Sequence, residues 1–128
     1  VLMIWSLVND LVTCTGDFSV AFMHTPLEEG DDIYVKPPRE LVPDRAVVWR
    51  LKRALNGLVG ASRMFRKFLH NVLTVKMGFK SCTAVPVLCR HTEMMVGLAV
   101  HVDDPIAAGK SVDLNRQFTH NPIEVGRE

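Results

Sequence analysis

The chain has 128 residues, and 48% of them are hydrophobic, which is sufficient for one domain with a modest core. Its 15 Lys and Arg residues nearly balance its 14 Asp and Glu residues, and the formal net charge is +1. A globally basic or acidic protein is therefore excluded, and binding to nucleic acid would have to rest on a local patch of cations.

The cysteines and histidines give no reason to predict a zinc site or a disulfide framework. Cys14, Cys82 and Cys89 lack the spacing of metal ligands, their number is odd, and the five histidines are scattered. We expect reduced, mostly buried thiols in an intracellular protein of the cytoplasm or nucleus.

Residues 1–10 begin with an apolar run, and the pattern predicts a buried helix. The run lacks a basic leader and is too short to span a bilayer, so no membrane segment is predicted. The chain starts without Met, as a fragment of a longer protein would. Residues 11–18 predict a strand, with Asp17 near its end.

The middle of the chain alternates loops with short strands. Loops are predicted at residues 24–32 and 39–45, and strands at 33–36 and 47–52, the first of them stopped by two prolines. A basic cluster in sequence is either a solvated face or a patch for nucleic acid, and it comprises Arg50, Lys52, Arg53, Arg63, Arg66 and Lys67.

Residues 62–77 form the clearest predicted helix, with Ser62 as its N-terminal cap and Gly78 after its end. Apolar side chains recur on one side at helical spacing and are expected to pack in the core, namely Met64, Phe65, Phe68, Leu69, Val72 and Leu73. Further strands are predicted at 86–90, 94–102 and 105–108, and a short helix at 111–118, before a polar end at 119–128.

Two adjacent carboxylates, Asp103 and Asp104, lie between two predicted strands. Most such pairs are solvated turn residues. Asp17 also follows a β-prone stretch, and three carboxylates at the ends of neighbouring strands could hold two divalent cations about 3.5–4 Å apart. Mg²⁺ prefers oxygen ligands and shares its coordination shell with substrate phosphates, so the pattern favours phosphoryl or nucleotidyl transfer.

Residues 17–24 read Asp-Phe-Ser-Val-Ala-Phe-Met-His and resemble the first catalytic motif of copia-type LTR-retrotransposon reverse transcriptases. Residues 101–104 read His-Val-Asp-Asp, where that family has Tyr-Val-Asp-Asp. Further similar motifs follow in the family's order at residues 27–38, 51–58, 59–63 and 78–79, and at Gly109. The resemblance thus runs from Asp17 to Gly109, most of the chain.

The resemblance implies an α+β fold, an antiparallel palm-type sheet with packed helices, in an incomplete polymerase domain. Residues 1–110 would form a partial palm region and residues 111–128 a divergent tail. The implied reaction is RNA-directed DNA synthesis from dNTPs on an RNA or DNA template-primer, with Mg²⁺ or Mn²⁺ held by Asp17, Asp103 and Asp104.

The resemblance also assigns roles around these carboxylates. The carbonyl of Phe18 would be a further metal ligand, and Gly60 would lie near the incoming nucleotide. Phe22 would exclude a 2′-hydroxyl or would simply be a core residue. The template-primer would contact Arg50, Lys52, Arg53, Arg63 and His101.

Several positions depart from the family. Gly60 replaces a Gln, Ser62 a Pro, and Asn56 and His101 each replace a Tyr. Most of the upstream fingers, the thumb and an RNase H domain have no match in the chain. We therefore expect a chain with little activity of its own, and two alternatives stay open: a non-enzymatic remnant that binds nucleic acid or a partner, and a different two-metal enzyme such as a nuclease.

Overall fold

The computed structural model describes residues 1–18 and 21–120, and it shows a mixed fold of short helices and antiparallel strands. The first half contains α1 (Leu2–Val8), β1 (Val12–Thr15), α2 (Ala21–His24), β2 (Tyr34–Val35) and β3 (Trp49–Arg50). The second half contains α3 (Ala61–Asn71) with a π-helical continuation (Val72–Lys76), β4 (Lys80–Ser81), β5 (Leu88–His91), β6 (Val96–His101), β7 (Asp104–Gly109) and α4 (Val112–Thr119).

Five strands form one sheet in the order β1-β7-β6-β5-β4, and each neighbouring pair is antiparallel. Strands β2 and β3 pair separately as a two-stranded ribbon. The predicted α+β class, with an antiparallel sheet and packed helices, is confirmed. No helix in residues 1–18 and 21–120 is long and apolar enough to cross a membrane.

One face of the five-stranded sheet carries the hydrophobic core. Val96 and Leu98 of β6 and Ala107 of β7 are fully buried there, because alternate residues of a strand point to the same face. They pack with Phe65 from α3 and Phe118 from α4. Helices α3 and α4 therefore cover this face, which we call the packed face.

The other face is largely uncovered, and we call it the open face. Helix α1 lies across one end of it, since a Cβ added to Gly97 would come within 2.6 Å of the Leu2 side chain and 2.8 Å of the Trp5 ring. Farther along, Thr15, Ile106 and Asp104 are exposed on this face.

The predicted first helix is confirmed as α1, but the prediction that it is buried is wrong. Leu2 and Ser6 are buried, whereas the side chains of Met3, Ile4 and Leu7 are 56%, 68% and 81% exposed. A helix of seven residues lying on the rim of an open sheet face can bury only one narrow stripe.

The predicted apolar stripe of α3 is confirmed, except that Phe68 is only half-buried. The predicted cap at Ser62 is wrong, because the helix begins at Ala61 and Gly60 occupies the N-cap position without a side-chain hydrogen bond. Gly78 does follow the π-helical segment, and its φ of +73° is a left-handed conformation that glycine adopts readily.

Most of the predicted strands are shorter in the structure, whereas the one predicted at 105–108 extends over Asp104–Gly109. The two in the middle of the chain shrink to two residues each, and β4, also of two residues, was not predicted because so short a strand has no detectable period. The last helix is confirmed as α4, where the Leu114 N–H donates to the Ser111 hydroxyl over 3.2 Å. Residues 121–128 of the predicted tail, like Ser19 and Val20, lie outside the described residues.

Candidate active site on the open face of the sheet

Asp17 lies opposite Asp104 on the neighbouring strand. The Gly16 N–H donates to the Pro105 carbonyl over 3.1 Å, and the Phe18 N–H donates to the Asp103 carbonyl over 3.2 Å. These bonds continue the β1–β7 ladder past the end of β1, in the register that pairs Thr15 with Ile106. Asp17 and Asp104 thus form the non-hydrogen-bonded pair between them, the kind in which side chains are closest.

The hairpin between β6 and β7 positions the predicted Asp-Asp pair. His101 pairs with Asp104, and the two turn residues are Val102 and Asp103. Val102 has a φ of +58°, a left-handed conformation that is uncommon for a β-branched residue. Pairing places His101, Asp104 and Asp17 in one row on the open face, with Asp103 at the tip of the turn.

The donor chemistry of this row suits Mg²⁺ or Mn²⁺, which prefer carboxylate oxygens. The side chains of Asp17 and Asp104 are exposed and that of Asp103 is half-buried. Across the part of the chain that the structure describes, however, no three His, Cys, Asp or Glu side chains are grouped closely enough to hold a metal ion. The backbone brings the three predicted positions together, and their predicted role as metal ligands stays a prediction.

The two predicted aromatic positions next to Asp17 pack into the core. Phe18 is buried, with its ring edge-on to Phe65 at 5.9 Å between centroids, and Phe22 is half-buried at 5.8 Å from the same ring. The Phe18 carbonyl accepts a hydrogen bond from the Ala21 N–H over 3.1 Å, which occupies one of its two lone pairs. The proposed roles of both residues at a nucleotide stay predictions.

Gly60 adopts a φ of +84° at the start of α3. A Cβ placed there would be 3.7 Å from the Met64 side chain, so space is not what limits this position. The left-handed backbone is what disfavours a side chain, since only Gly visits this region without strain. The backbone at this position therefore favours glycine over the Gln that the resemblance places there.

The predicted basic cluster divides into two groups, and acidic partners neutralise part of each. In the ribbon, Arg50 forms an ion pair with Asp32 at 2.6 Å. Just after the ribbon, the Arg53 guanidinium donates to the His24 carbonyl over 2.8 Å. Lys52 is exposed between them.

On α3, Glu28 accepts from both Lys67 at 2.6 Å and Arg63 at 3.4 Å. The hydrogen bond from Lys67, followed by the charges of Lys67 and Arg63, lowers the pKa of Glu28 from its ordinary value of 4.5. Exposed pairs of this kind contribute little to stability, because solvent screens the charges. These partners could not be predicted from the sequence, because nothing in the local pattern connects Glu28 with Lys67, 39 residues away.

A groove with a volume of about 600 Å³ separates α3 from the packed face of β5 and β6. Arg63 and His101, two of the predicted nucleic-acid contacts, line it, and so do Arg66 and His70. In the sequence, the one indication of this groove was that Arg63, Arg66 and His70 share the polar face of the predicted helix, with Arg66 and His70 four residues apart. We call this feature the basic groove.

Comparison with known proteins identifies the family to which the chain belongs. A family model described as reverse transcriptase (RNA-dependent DNA polymerase) matches residues 1–121, which include every predicted site residue. No curated protein and no solved structure gives a match. The matched family is the copia-type one that the motifs resemble. The chain therefore belongs to the family of reverse transcriptases.

Proposed function

We propose that this chain carries the catalytic carboxylates of an RNA-directed DNA polymerase, namely Asp17, Asp103 and Asp104. The observation that supports this proposal most directly is the pairing of Asp17 with Asp104 across two adjacent strands, with Asp103 in the adjoining turn. This pairing joins two motifs that are far apart in the chain and puts them at one position on a face that is open to a template-primer.

A pair of bound divalent cations would activate the primer 3′-hydroxyl and stabilise the charge of the triphosphate. The chain's own contribution would be to hold those cations with the three carboxylates and the free lone pair of the Phe18 carbonyl. Phe22, anchored on Phe65, would limit the space beside the sugar. His101, in the same row, would contact the primer end.

We further propose that the 128-residue chain is a poor polymerase on its own. Catalysis of this kind depends on positioned charges and donors, and the loss of one such donor costs about a hundredfold in rate. Gly60 and Asn56 offer less than the family's side chains at those positions, and the three carboxylates are not grouped as a metal site. These observations support weak activity even though all three carboxylates are present in the chain.

Primer extension tests the proposal, on a poly(rA) template with an oligo(dT) primer and with Mg²⁺ and then Mn²⁺. We expect trace incorporation that Asp103→Asn abolishes and that Asp31→Asn, at an exposed loop position, leaves unchanged. Incorporation that persists in Asp103→Asn would remove these carboxylates from the reaction. Robust incorporation that disappears in Asp103→Asn would contradict only the proposed weakness.

A second candidate is a non-enzymatic role in which the chain binds nucleic acid. The observation that favours it is the absence, in residues 1–18 and 21–120, of three metal-capable side chains in one group, beside exposed cations such as Lys52 and Arg66. Fluorescence anisotropy with labelled RNA would separate the two. Binding that survives the triple change Asp17→Asn, Asp103→Asn and Asp104→Asn but weakens steeply with salt would support this role when primer extension is absent.

A further inference from the structure

The basic groove combines an apolar floor with a cationic rim. Leu69 and Leu73 on one wall face Cys89 and Val100 on the other. Leu69 and Leu73 share the inner stripe of α3 and its continuation because they are four residues apart. Cys89 and Val100 belong to the packed face, since Cys89 pairs with Leu98 and strand residues two apart share a face. We call these four residues the floor of the groove, and the regular geometry of the helix and of the strands brings them together.

The floor is also neutral. Burial raises the pKa of the Cys89 thiol, so this group carries no charge at neutral pH and behaves as a small apolar side chain. Leu69, Leu73 and Cys89 are nearly fully buried, so solvent reaches the apolar lining of the groove chiefly at Val100, which is half-buried, and at Val87, which is 41% exposed. Covering this accessible apolar part with a ligand is favourable, because it removes apolar surface from water.

The rim charges come from successive turns of α3. Arg63 and Lys67 share the carboxylate of Glu28, which offsets part of their charge. Arg66 forms no ion pair with any of residues 1–18 and 21–120, and His70 lies one turn farther along the same side of the helix. Arg66 is consequently the cation of the rim that is available to an anion.

We propose that the basic groove binds a small amphipathic anion, with an aliphatic body on the apolar floor and a carboxylate at Arg66. The volume of about 600 Å³ lies within the range of small-molecule sites, about 300–1,000 Å³. No Phe, Tyr or Trp of the described residues lines the groove, so a nucleobase would find no such ring on which to stack. An aliphatic carboxylate matches both the floor and the rim.

This inference does not rest on the three carboxylates, although Arg63 and His101, which were predicted to contact the template-primer, also line the groove. The floor of the basic groove belongs to the packed face, whereas Asp17 and Asp104 lie on the open face. Loss of primer extension and loss of ligand binding can therefore be measured separately in the same variants.

Isothermal titration calorimetry with dodecanoate, kept below its micelle concentration, tests the proposal. We expect saturable binding to the wild-type chain and none of dodecyltrimethylammonium, which has the same aliphatic chain with a cationic head. Arg66→Glu should weaken dodecanoate binding by about tenfold or more, since it replaces an attractive charge by a repulsive one. Arg90→Glu is the matched control, because Arg90 is exposed and lies beside Cys89 but on the opposite side of β5.

A second variant tests the floor. Val87 lines the groove and is 41% exposed, so Val87→Glu adds a negative charge there without opening a cavity in the core. It should abolish dodecanoate binding while the circular dichroism spectrum and the melting temperature stay close to those of the wild type. Equal binding of both detergents, unchanged binding in Arg66→Glu, or an equal loss in Arg90→Glu would overturn the proposal. Displacement of dodecanoate by dTMP at similar concentration would also overturn it, in favour of a nucleotide.

Discussion

Asp17 and Asp104 face each other where β7 pairs with the continuation of β1, and two flanking backbone hydrogen bonds fix this pair. The Gly16 and Phe18 amides donate to Pro105 and Asp103, so the carboxylates cannot slip out of register without breaking both bonds.

This pairing predicts weak binding of a divalent cation. Two carboxylates on one face repel each other until a cation neutralises them, which makes the pair a better ligand than either alone. Titration calorimetry with Mn²⁺ should show weak binding that Asp103→Asn and Asp104→Asn reduce. Asp31→Asn, with the same loss of charge in an exposed loop, should not reduce it. Equal binding by all of these proteins would exclude the site.

The turn at Val102 predicts a stabilising substitution. A non-glycine residue held at a φ of +58° stores about 1–3 kcal/mol of strain, and Gly removes that strain at an entropic cost of about 0.5–1 kcal/mol. Val102→Gly should therefore raise the free energy of unfolding by about 1 kcal/mol, measured by urea denaturation.

Val12→Gly is the matched control for this turn, because Val12 is 42% exposed and Val102 is 43% exposed. Val12 lies in a regular strand, so its replacement should destabilise the chain by about 0.5–1 kcal/mol. Destabilisation of similar size in both variants would show that the turn is unstrained.

Replacement of Phe65 should cause a large loss of stability. Its ring is fully buried and contacts the rings of both Phe18 and Phe22. Phe65→Ala should lower the free energy of unfolding by about 3–5 kcal/mol, a large part of the stability of a small domain. Phe22→Ala removes the same atoms from a half-buried position and should have a clearly smaller effect. If the two variants unfold at the same urea concentration, the core is not centred on Phe65.

Removal of either cation beside Glu28 should change the pKa of the Glu28 carboxyl group measurably. Lys67 is the largest cause of its lowered pKa and Arg63 a smaller one, so Lys67→Met should raise the Glu28 pKa more than Arg63→Met does. NMR titration of the Glu28 carboxyl carbon measures both changes, with Lys110→Met as a control far along the chain. A larger rise in Arg63→Met would contradict the assignment of the hydrogen bond to Lys67.

The sign of the linked stability effect follows from the direction of the shift. A carboxyl group whose pKa is lower in the folded state stabilises that state above its unfolded pKa. The contribution of Glu28 is therefore complete at neutral pH and is lost as the pH falls through the lowered folded value. Because the group is exposed, the effect on the melting temperature should be small and should diminish with added salt.

The parts of the fold that could be predicted from the sequence are those with a strong local period. The stripe from Met64 to Leu73 repeats at helical spacing, and the β6 and β7 segments are continuous apolar runs around an acidic turn. These patterns are set by residues that are neighbours in sequence, so they can be recognised without knowing the fold.

The parts that could not be predicted depend on contacts between distant segments. The resemblance predicted that Asp17 would lie near Asp103 and Asp104, but the register that sets Asp17 against Asp104 depends on how β1 pairs with β7. The acidic partner of Arg63 and Lys67 is Glu28, which lies in a distant loop. The exposure of α1 likewise depends on which face of the sheet it lies on, because its apolar residues look the same in sequence whether they are covered or not.

The two sides of helix α1 differ in how well they should tolerate mutation. On its outer side, Met3, Ile4 and Leu7 are surrounded by solvent, so polar replacements there would change the free energy of unfolding little. On its inner side, the sheet beneath has no space for even a methyl group at Gly97. Substitutions on the solvent side of this helix should therefore cost little stability, whereas any side chain at position 97 would meet Leu2 and Trp5.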